Sequence, residues 1–269
     1  MQLTTEANAA IARQLYDAMR SMQTIAPLTE SHPSITIEDA YHISREILRL
    51  RLSLDHEQLV GKKIGVTSAA VQEMLGVFQP DFGFLTDKMA CANGADIPVG
   101  GQLIQPRAEG EIAFRLHSDL RGPGITEANV LAATATIIPC FEIVDSRIDD
   151  WRIAIQDTVA DNASCGVFVL GDQELDPTGI DLAALDMCVY KNEKLISRGQ
   201  GSAVQGNPLA AVAWLANTLG AFDIPLLAGE IILSGSLVPL APVVAGDKMH
   251  LTLSSAGVQI GSASCNFIE

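Results

Sequence analysis

Apolar side chains recur at helical spacing over the first sixty residues of the chain. Between Thr5 and Met22 they alternate with charged residues in the way that predicts an amphipathic helix. The sequence Thr36–Asp39 has the form of a capping box and predicts the start of a second helix that runs through Leu50. We therefore expect residues 1–60 to form a helical N-terminal part that packs on the rest of the chain.

From residue 61 to residue 269 the pattern changes to short apolar runs interrupted by glycine and proline, which predicts strands and tight turns. Two helices interrupt this region. One begins near Thr126 and ends at about Thr136. The other is capped by Asn207 and stops at Gly220, and a proline occupies its first position. The predicted fold class is α+β, with a helical N-terminal part on a mostly β body.

The stretch Gln105–Leu116 contains two glutamates separated by one residue. In a strand, successive side chains point to opposite faces, so Glu109 and Glu111 lie on the same face. The opposite face is apolar and marks the side of the core; it carries Ile112, Phe114 and Leu116.

Two carboxylates on one strand face repel each other unless a cation or a proton lies between them. A third carboxylate, Glu142, follows in the apolar run I-P-C-F-E-I-V-D. Ligation by oxygen alone, with positions left for water and substrate, suits Mg²⁺ or Mn²⁺ better than zinc. The spacing itself is equally compatible with solvated glutamates on an exposed strand face.

Two further motifs place polar side chains beside apolar runs. In Gly61–Ser68 two lysines follow the first glycine, and Lys63 is the better placed to point inwards at an anionic or enolic ligand. Gln79–Gly83 is typical of a turn and puts Asp81 in a loop, where acids and bases are often positioned. The structural alternatives are exposed lysines at a strand start and an Asx turn.

A polar cluster precedes the apolar run that begins at Val167. Its residues Asp161, Asn162 and Ser164 either line a pocket or cap a turn, and the pattern does not separate the two. The sequence carries no nucleophile elbow, phosphate-binding loop or dinucleotide fingerprint.

The net charge and the cysteine content indicate which partners and which cellular compartment suit the protein. The formal net charge of −15 argues against nucleic acid, which requires a basic patch. Five widely spaced cysteines without a C-x-x-C pair indicate buried free thiols in a reducing compartment. The start of the chain has no signal-peptide pattern, and no apolar run is long enough to span a bilayer. We expect a soluble, cytoplasmic protein.

Taken in order, the motifs resemble one protein family. They are G-K-K-I-G-V-T-S, Q-P-D-F-G, Q-P-R-A-E-G-E-I-A-F, I-P-C-F-E-I-V-D-S-R, V-A-D-N-A-S, G-x-P-L-A-A-V-A-W-L-A and G-E-I-I-L-S-G-S-L. This series resembles the hydratase/decarboxylase group of the fumarylacetoacetate hydrolase superfamily, and it covers nearly the whole chain.

The resemblance implies a mixed β-sandwich roll and a set of site residues. It implies a divalent metal, Mg²⁺ or Mn²⁺, held by Glu109, Glu111 and Glu142, with a 2-oxo acid chelating that metal. It also implies a catalytic lysine and aspartate, which are Lys63 and Asp81 in this sequence. The substrate-binding residues implied are Asn162, Ser164 and Ser234.

The activity implied is a hydro-lyase that adds water to 2-hydroxypenta-2,4-dienoate and gives 4-hydroxy-2-oxopentanoate, a step in the degradation of aromatic compounds. One alternative is a decarboxylase of 2-oxo-3-hexenedioate (4-oxalocrotonate), which needs the same electron sink. A substrate with two carboxylates calls for an extra cation, for which Arg107 and Arg147 are candidates. The alternative of another class is a catalytically silent metal-binding partner subunit.

Hydrolysis of an acylpyruvate is disfavoured, because no helix of the H-x-x-E type that activates water in the hydrolases lies near the carboxylate motif. The resemblance further implies a homo-oligomer, associated in some cases with the related decarboxylase.

Overall fold

The computed structural model describes residues 3–68, 72–73 and 77–269. Three helices come first: α1 (Thr5–Ser21), α2 (Leu28–Ser31) and α3 (Ile37–Leu54). The predicted capping box of α3 is confirmed, since the Asp39 backbone N–H donates to the Thr36 hydroxyl at 3.1 Å and the Asp39 carboxylate accepts from the Thr36 backbone N–H at 3.0 Å. The placement of a domain boundary near residue 60 stays a prediction.

Three more α-helices lie between residues 77 and 269: α4 (Glu127–Ala133), α5 (Ile155–Ala160) and α6 (Pro208–Gly220). The bounds of α6 agree with the prediction. Helix α4 ends three residues earlier than predicted, because the β-branched run that begins at Thr134 continues as a strand. Helix α5 was not predicted, and its buried residues join α1 and α3 in a separate apolar cluster. No helix in the described ranges is long and apolar enough to cross a membrane.

Thirteen strands are present in the part of the chain that the structure describes. They are β1 (Leu59–Gly65), β2 (Asp81–Thr86), β3 (Ala90–Cys91), β4 (Asp96–Pro98), β5 (Arg107–Leu116), β6 (Thr134–Val144), β7 (Cys165–Leu170), β8 (Asp186–Lys191), β9 (Lys194–Gln200), β10 (Ile231–Ser236), β11 (Ala241–Pro242), β12 (Lys248–Ser255) and β13 (Val258–Ile268). The larger sheet has the order β2-β1-β10-β5-β6-β7-β3, with β11 also paired to β5. The smaller sheet has the order β4-β13-β12-β8-β9.

The main apolar core lies between one face of the larger sheet, the smaller sheet and α6. Ile112, Phe114 and Leu116 belong to this core, which confirms the predicted core face of β5. Gly110, between the two glutamates, is also on this face, where a Cβ would lie 2.5 Å from the sulfur of Met187. A side chain at this position would therefore push the smaller sheet away.

The opposite face of the larger sheet is concave and carries a smaller apolar cluster that includes Ala113, Cys140, Phe168 and Leu233. The sheets and helices together confirm the predicted α+β class.

A side-chain amide joins the edge strand β2 to the segment that precedes β7. The backbone N–H of Phe84 donates to Asn162 Oδ1 at 2.8 Å, and Asn162 Nδ2 donates to the Phe84 carbonyl at 2.9 Å. The Asn162 amide thus makes the two hydrogen bonds that one residue of a neighbouring strand would make with Phe84. Gly83 permits this approach, because a Cβ there would lie 2.5 Å from the carbonyl oxygen of Asn162.

We predict that Asn162→Asp lowers the free energy of unfolding by about 1–3 kcal/mol, because the Phe84 carbonyl loses its buried donor. Aspartate tolerates the left-handed backbone at this position, where φ is 55°, so the backbone conformation is retained and the effect comes from replacing the donor by a carboxylate oxygen. Denaturant unfolding followed by circular dichroism measures the effect.

The matched control is Asn129→Asp, because the side chain of Asn129 only accepts hydrogen bonds from Thr126 and aspartate keeps them. We expect a change within about 0.5 kcal/mol for this control. Equal effects of the two substitutions would contradict the role of the amide.

Candidate active site

Three carboxylates meet on the concave face of the larger sheet. In the pairing of β5 with β6, Glu109 lies opposite Glu142 and Glu111 lies opposite Cys140, so all four side chains share one face. Glu111 and Glu142 are fully buried, whereas Glu109 is half-buried. The burial excludes the alternative in which both glutamates of the motif are solvated.

Lys63 reaches the same place from β1. Its ammonium nitrogen lies 3.2 Å from Glu142 Oε1, and the two side chains are only 3% and 1% exposed. Strands β10 and β5 lie between β1 and β6. In a flat sheet this arrangement would separate the backbones of β1 and β6 by roughly 14 Å. The curvature of the sheet brings the two side-chain ends together across the concave face.

Asp81 lies beside this ion pair. It is opposite Gly65 in the pairing of β1 with β2, and a Cβ at Gly65 would lie 2.3 Å from Asp81 Oδ1 and 3.3 Å from Lys63 Nζ. Only glycine leaves room for the two charged groups. The predicted loop position of Asp81 is wrong: the residue is buried at the start of β2.

The charges on this face shift one another's pKa values. Burial raises the pKa of the Glu109 carboxyl to about 7, and the Glu142 charge adds to the effect. Burial also raises the pKa of Glu111 well above its usual range, with further contributions from Glu142 and Glu109. The pKa of Asp81 is raised as well, mainly by burial. All three shifts favour the neutral acid over the carboxylate.

The ammonium of Lys63 responds in the opposite sense. Burial by itself would lower the pKa of Lys63, but the neighbouring carboxylates of Glu142 and Asp81 raise it above its usual value. The lysine is therefore protonated at neutral pH and carries a fixed positive charge inside the site.

The oxygen atoms of the three glutamates form a donor set that fits a hard metal ion. No three acidic, histidine or cysteine side chains among the described residues are gathered as a ready-made metal site. However, Glu142 Oε1 is buried beside the Lys63 ammonium without a hydrogen bond of good geometry among the described residues, and the other candidate ligands are carboxylate oxygens too. A hard divalent cation fits such oxygens, and it would relieve the repulsion that raises the carboxyl pKa values.

The sequence interpretation missed the groups that orient Glu111. The Gly235 backbone N–H donates to Glu111 Oε2 at 2.8 Å, and Ser236 lies opposite Glu111 in the pairing of β10 with β5. The strand register shifts between Leu233 and Ser236, and Gly235 has a φ of 102° that favours glycine. A glycine between two serines inside a strand pattern is the signal that predicts such a bulge.

The three predicted substrate-binding residues lie in different surroundings. The Asn162 amide already has two partners on Phe84, and the Ser164 hydroxyl lies 3.1 Å from that of Thr158. Ser234 is buried, and its hydroxyl has no partner within the described ranges. Their roles toward a substrate stay predictions.

Both arginines considered as extra cations have other partners. Arg147 is buried, pairs with Asp161 and donates to the carbonyl of Cys165 at 3.1 Å. The guanidinium of Arg107 lies 4.4 Å from the ring centre of Trp151.

The chain is similar to known proteins over most of its length. Two curated relatives are each 60% identical to the chain. The first is a 2-hydroxyhexa-2,4-dienoate hydratase of Comamonas testosteroni, aligned over 96% of each chain. The second is a 2-hydroxypent-2,4-dienoate hydratase of Pseudomonas putida, aligned over 78% of this chain and 95% of the relative.

Among solved structures, 4-oxalocrotonate decarboxylase from Pseudomonas putida G7, complexed with magnesium and adipate, superposes with a TM-score of 0.93. It is 34% identical, and the match covers 99% of both chains. The family model "Fumarylacetoacetate (FAA) hydrolase C-terminal" matches residues 49–266. The chain therefore belongs to the fumarylacetoacetate hydrolase family.

Proposed function

We propose that this protein is a metal-dependent hydratase that adds water to 2-hydroxypenta-2,4-dienoate, or to its six-carbon homologue, and forms a 4-hydroxy-2-oxo acid. The observation that carries the proposal is the buried ion pair of Lys63 and Glu142 beside Asp81, on the face that holds Glu109 and Glu111. The two relatives with 60% identity are named as hydratases of such dienoates, which supports hydration over the other reactions of the family.

In this proposal, Glu109, Glu111 and Glu142 hold a divalent cation, Mg²⁺ or Mn²⁺. When bound, the cation supplies Lewis acidity towards the carboxylate and the 2-oxygen of a 2-oxo acid. The backbone N–H of Gly235 holds Glu111 in place for this role, because the hydrogen bond fixes one of its two oxygens.

Lys63 supplies a fixed charge for the reaction. Loss of the proton from the 2-hydroxyl of the dienol places negative charge on that oxygen, and protonation at C5 then gives the 2-oxo-3-enoate. Addition of water at C4 places negative charge on the same oxygen again until C3 gains a proton. A protonated ammonium in a water-poor site stabilises such a charge more strongly than it would in water. Lys63 is positioned for this by its contact with Glu142 at 3.2 Å and its burial.

Asp81 moves protons in the same proposal. Its Oδ1 is buried without a hydrogen-bond partner in the described residues, and burial raises its pKa, which favours a carboxyl group that can donate as well as accept a proton. It receives the proton of the water that adds to C4 and returns a proton to C3. The sum of the steps is the addition of one water molecule.

The decarboxylase remains the rival within the family, because the fold comparison does not separate the two reactions. The surroundings of Arg147 favour hydration of a monocarboxylate, since its guanidinium is buried and paired with Asp161.

We predict that the purified protein with Mg²⁺ or Mn²⁺ consumes 2-hydroxypenta-2,4-dienoate and forms 4-hydroxy-2-oxopentanoate, without releasing CO₂ from 2-oxo-3-hexenedioate. Dienol absorbance, product analysis and CO₂ release measure the outcome. CO₂ without hydration would assign the protein as the decarboxylase. Metal binding without turnover of either acid would support the silent partner subunit.

We predict that Lys63→Met lowers kcat by about 10²-fold or more, as expected for the loss of a charge that stabilises a developing oxyanion. The matched control is the adjacent Lys62, which is equally buried but pairs with Glu230 on the opposite face of the sheet. The double variant Lys62→Met with Glu230→Gln removes that ion pair and should change stability more than kcat. A similar loss of kcat in both would indicate a general packing effect.

We predict that the stabilisation of the protein by Mn²⁺ increases as the pH rises from below to above about 7, the pKa of Glu109. Folding raises the pKa values of these carboxyl groups, so the metal-free protein becomes less stable as the pH rises through the raised values. A bound cation stabilises the ionised carboxylates, so the stability that it adds increases over the same pH range. Melting temperatures with Mn²⁺ and with a chelator, measured from pH 5.5 to 8, test it. A metal-induced shift independent of pH would contradict the carboxylate site.

The variant Glu111→Gln extends this test. Because glutamine keeps the size of the side chain and removes its titration, we expect weaker Mn²⁺ binding with a flatter dependence on pH. Unchanged Mn²⁺ affinity in this variant would show that Glu111 is not a ligand.

A further inference from the structure

The side chain of Tyr41 connects the helical N-terminal part with the strand that begins at Asp81. Tyr41 lies on α3 and packs against two apolar clusters at once, the main core and the cluster shared by α1, α3 and α5. Its ring is stacked on the ring of Phe82, with the ring centres 4.3 Å apart and the planes 11° from parallel. Phe82 directly follows Asp81 in β2, so the stack lies one residue from the group to which we assign proton transfer.

The stack holds the end of an edge strand. Phe82 is buried on the core face, where its ring also meets that of Phe84 edge-on, with centres 5.9 Å apart and planes at 88°. Asp81 points to the opposite face, because successive side chains of a strand alternate. It is the first residue of β2, and β2 has a neighbouring strand on one side only. The contacts of Phe82 therefore supply restraint that a second neighbouring strand would otherwise give.

The paired strand is anchored to the helices at the same end. Asp81 lies opposite Gly65 in the pairing of β1 with β2, and the residue after Gly65 is Val66. Val66 packs on the apolar cluster of α1, α3 and α5. Its φ of 55° is strained for a β-branched residue, so the surrounding contacts hold it in place. The helical part thus holds both strands close to the point where Asp81 and Lys63 meet.

The hydroxyl end of Tyr41 is close enough to Asp81 for the carboxylate charge to act on it. Burial raises the pKa of Tyr41 above its usual range, and the Asp81 charge adds to this effect. The phenol is therefore neutral at neutral pH, and it adds no charge to the site. Because Tyr41 is itself half-buried, a smaller residue at this position would leave the end of β2 less well packed.

We propose that Tyr41 is a positioning residue for proton transfer: by stacking on Phe82 it holds the Asp81 carboxyl group at a fixed place beside Lys63, within reach of C3 of a bound 2-oxo acid. The inference rests on the proposed function. It assigns part of the site to the N-terminal helices, which contain none of the site residues predicted from the sequence. A misplacement of about 1 Å at such a group is enough to cost about 10²-fold in rate.

The test measures the exchange of the C3 protons of 2-oxopentanoate with solvent deuterium, followed by NMR in the presence of Mg²⁺. This acid has no 4-hydroxyl group, so the assay isolates proton transfer from hydration. Asp81 takes a proton from C3, and the electron pair of the broken C–H bond forms the enolate. After the carboxyl group has exchanged its proton with the solvent, it returns a deuteron to C3 and the 2-oxo acid is regenerated.

We expect Tyr41→Leu, which removes the stack, to lower the exchange rate by about tenfold or more. The affinity for 2-oxopentanoate, measured by calorimetry, should change by less than about twofold, because the groups that bind it lie on other strands. Tyr41→Met is the second variant, since its flexible side chain fills a similar volume without a flat ring, and the same loss is expected. Tyr41→Phe keeps the ring and should restore the exchange rate to within about threefold of the wild type.

The matched control is Tyr190→Leu. Tyr190 is also half-buried and also contacts an aromatic ring, that of His250 at 6.0 Å, but it lies on β8 in the smaller sheet. This substitution should lower the free energy of unfolding without changing the exchange rate. Circular dichroism confirms that each variant is folded at the temperature of the assay.

An exchange rate in Tyr41→Leu and Tyr41→Met within about threefold of the wild type would overturn the inference. Equal losses in Tyr41→Leu and Tyr41→Phe would overturn it too, because they would assign the effect to the hydroxyl group. So would an equal loss in Tyr190→Leu, which would indicate general destabilisation. Failure of the proposed function is distinguishable, because in that case the wild-type protein hydrates no dienoate and Asp81→Asn leaves the exchange rate unchanged.

Discussion

The contact between Lys63 and Glu142 determines much of what surrounds it. It joins strands that are three positions apart in the larger sheet, so it exists only because that sheet is curved. It also requires a glycine at position 65, since any side chain there would fill the space that Lys63 and Asp81 share. The ion pair is buried, so removing its two charges from water costs free energy. Their attraction offsets this cost only while the charges of the surrounding carboxylates and of any bound cation balance each other.

The charge balance of the site explains how an acidic protein binds an anionic acid. The chain carries a net charge of −15, which repels a small anion at long range. Inside the site, burial and mutual repulsion raise the pKa values of Glu109 and Glu111, and Lys63 is the positive charge that faces them. A hard cation bound by these carboxylates would supply a local positive charge, and this charge would attract a 2-oxo acid.

The sequence predicted the local parts of this arrangement better than the distant ones. Alternation along β5 predicted the shared face of Glu109 and Glu111, and capping signals predicted α3 and α6. The approach of Lys63 to Glu142 depends on sheet curvature, which no local pattern contains. The motif around Asp81 predicts a turn, because it holds a proline and a glycine. In the structure, Gly83 lies within strand β2, where the absence of a side chain lets the carbonyl of Asn162 approach the strand.

The amide of Asn162 has a consequence beyond the geometry of the site. Strand β2 is at the edge of the larger sheet, and an open edge is a template on which strands of other chains can pair. Asn162 occupies both hydrogen-bonding groups of Phe84 in the middle of that edge. One side chain therefore blocks the pairing of a strand from another chain at this part of the edge.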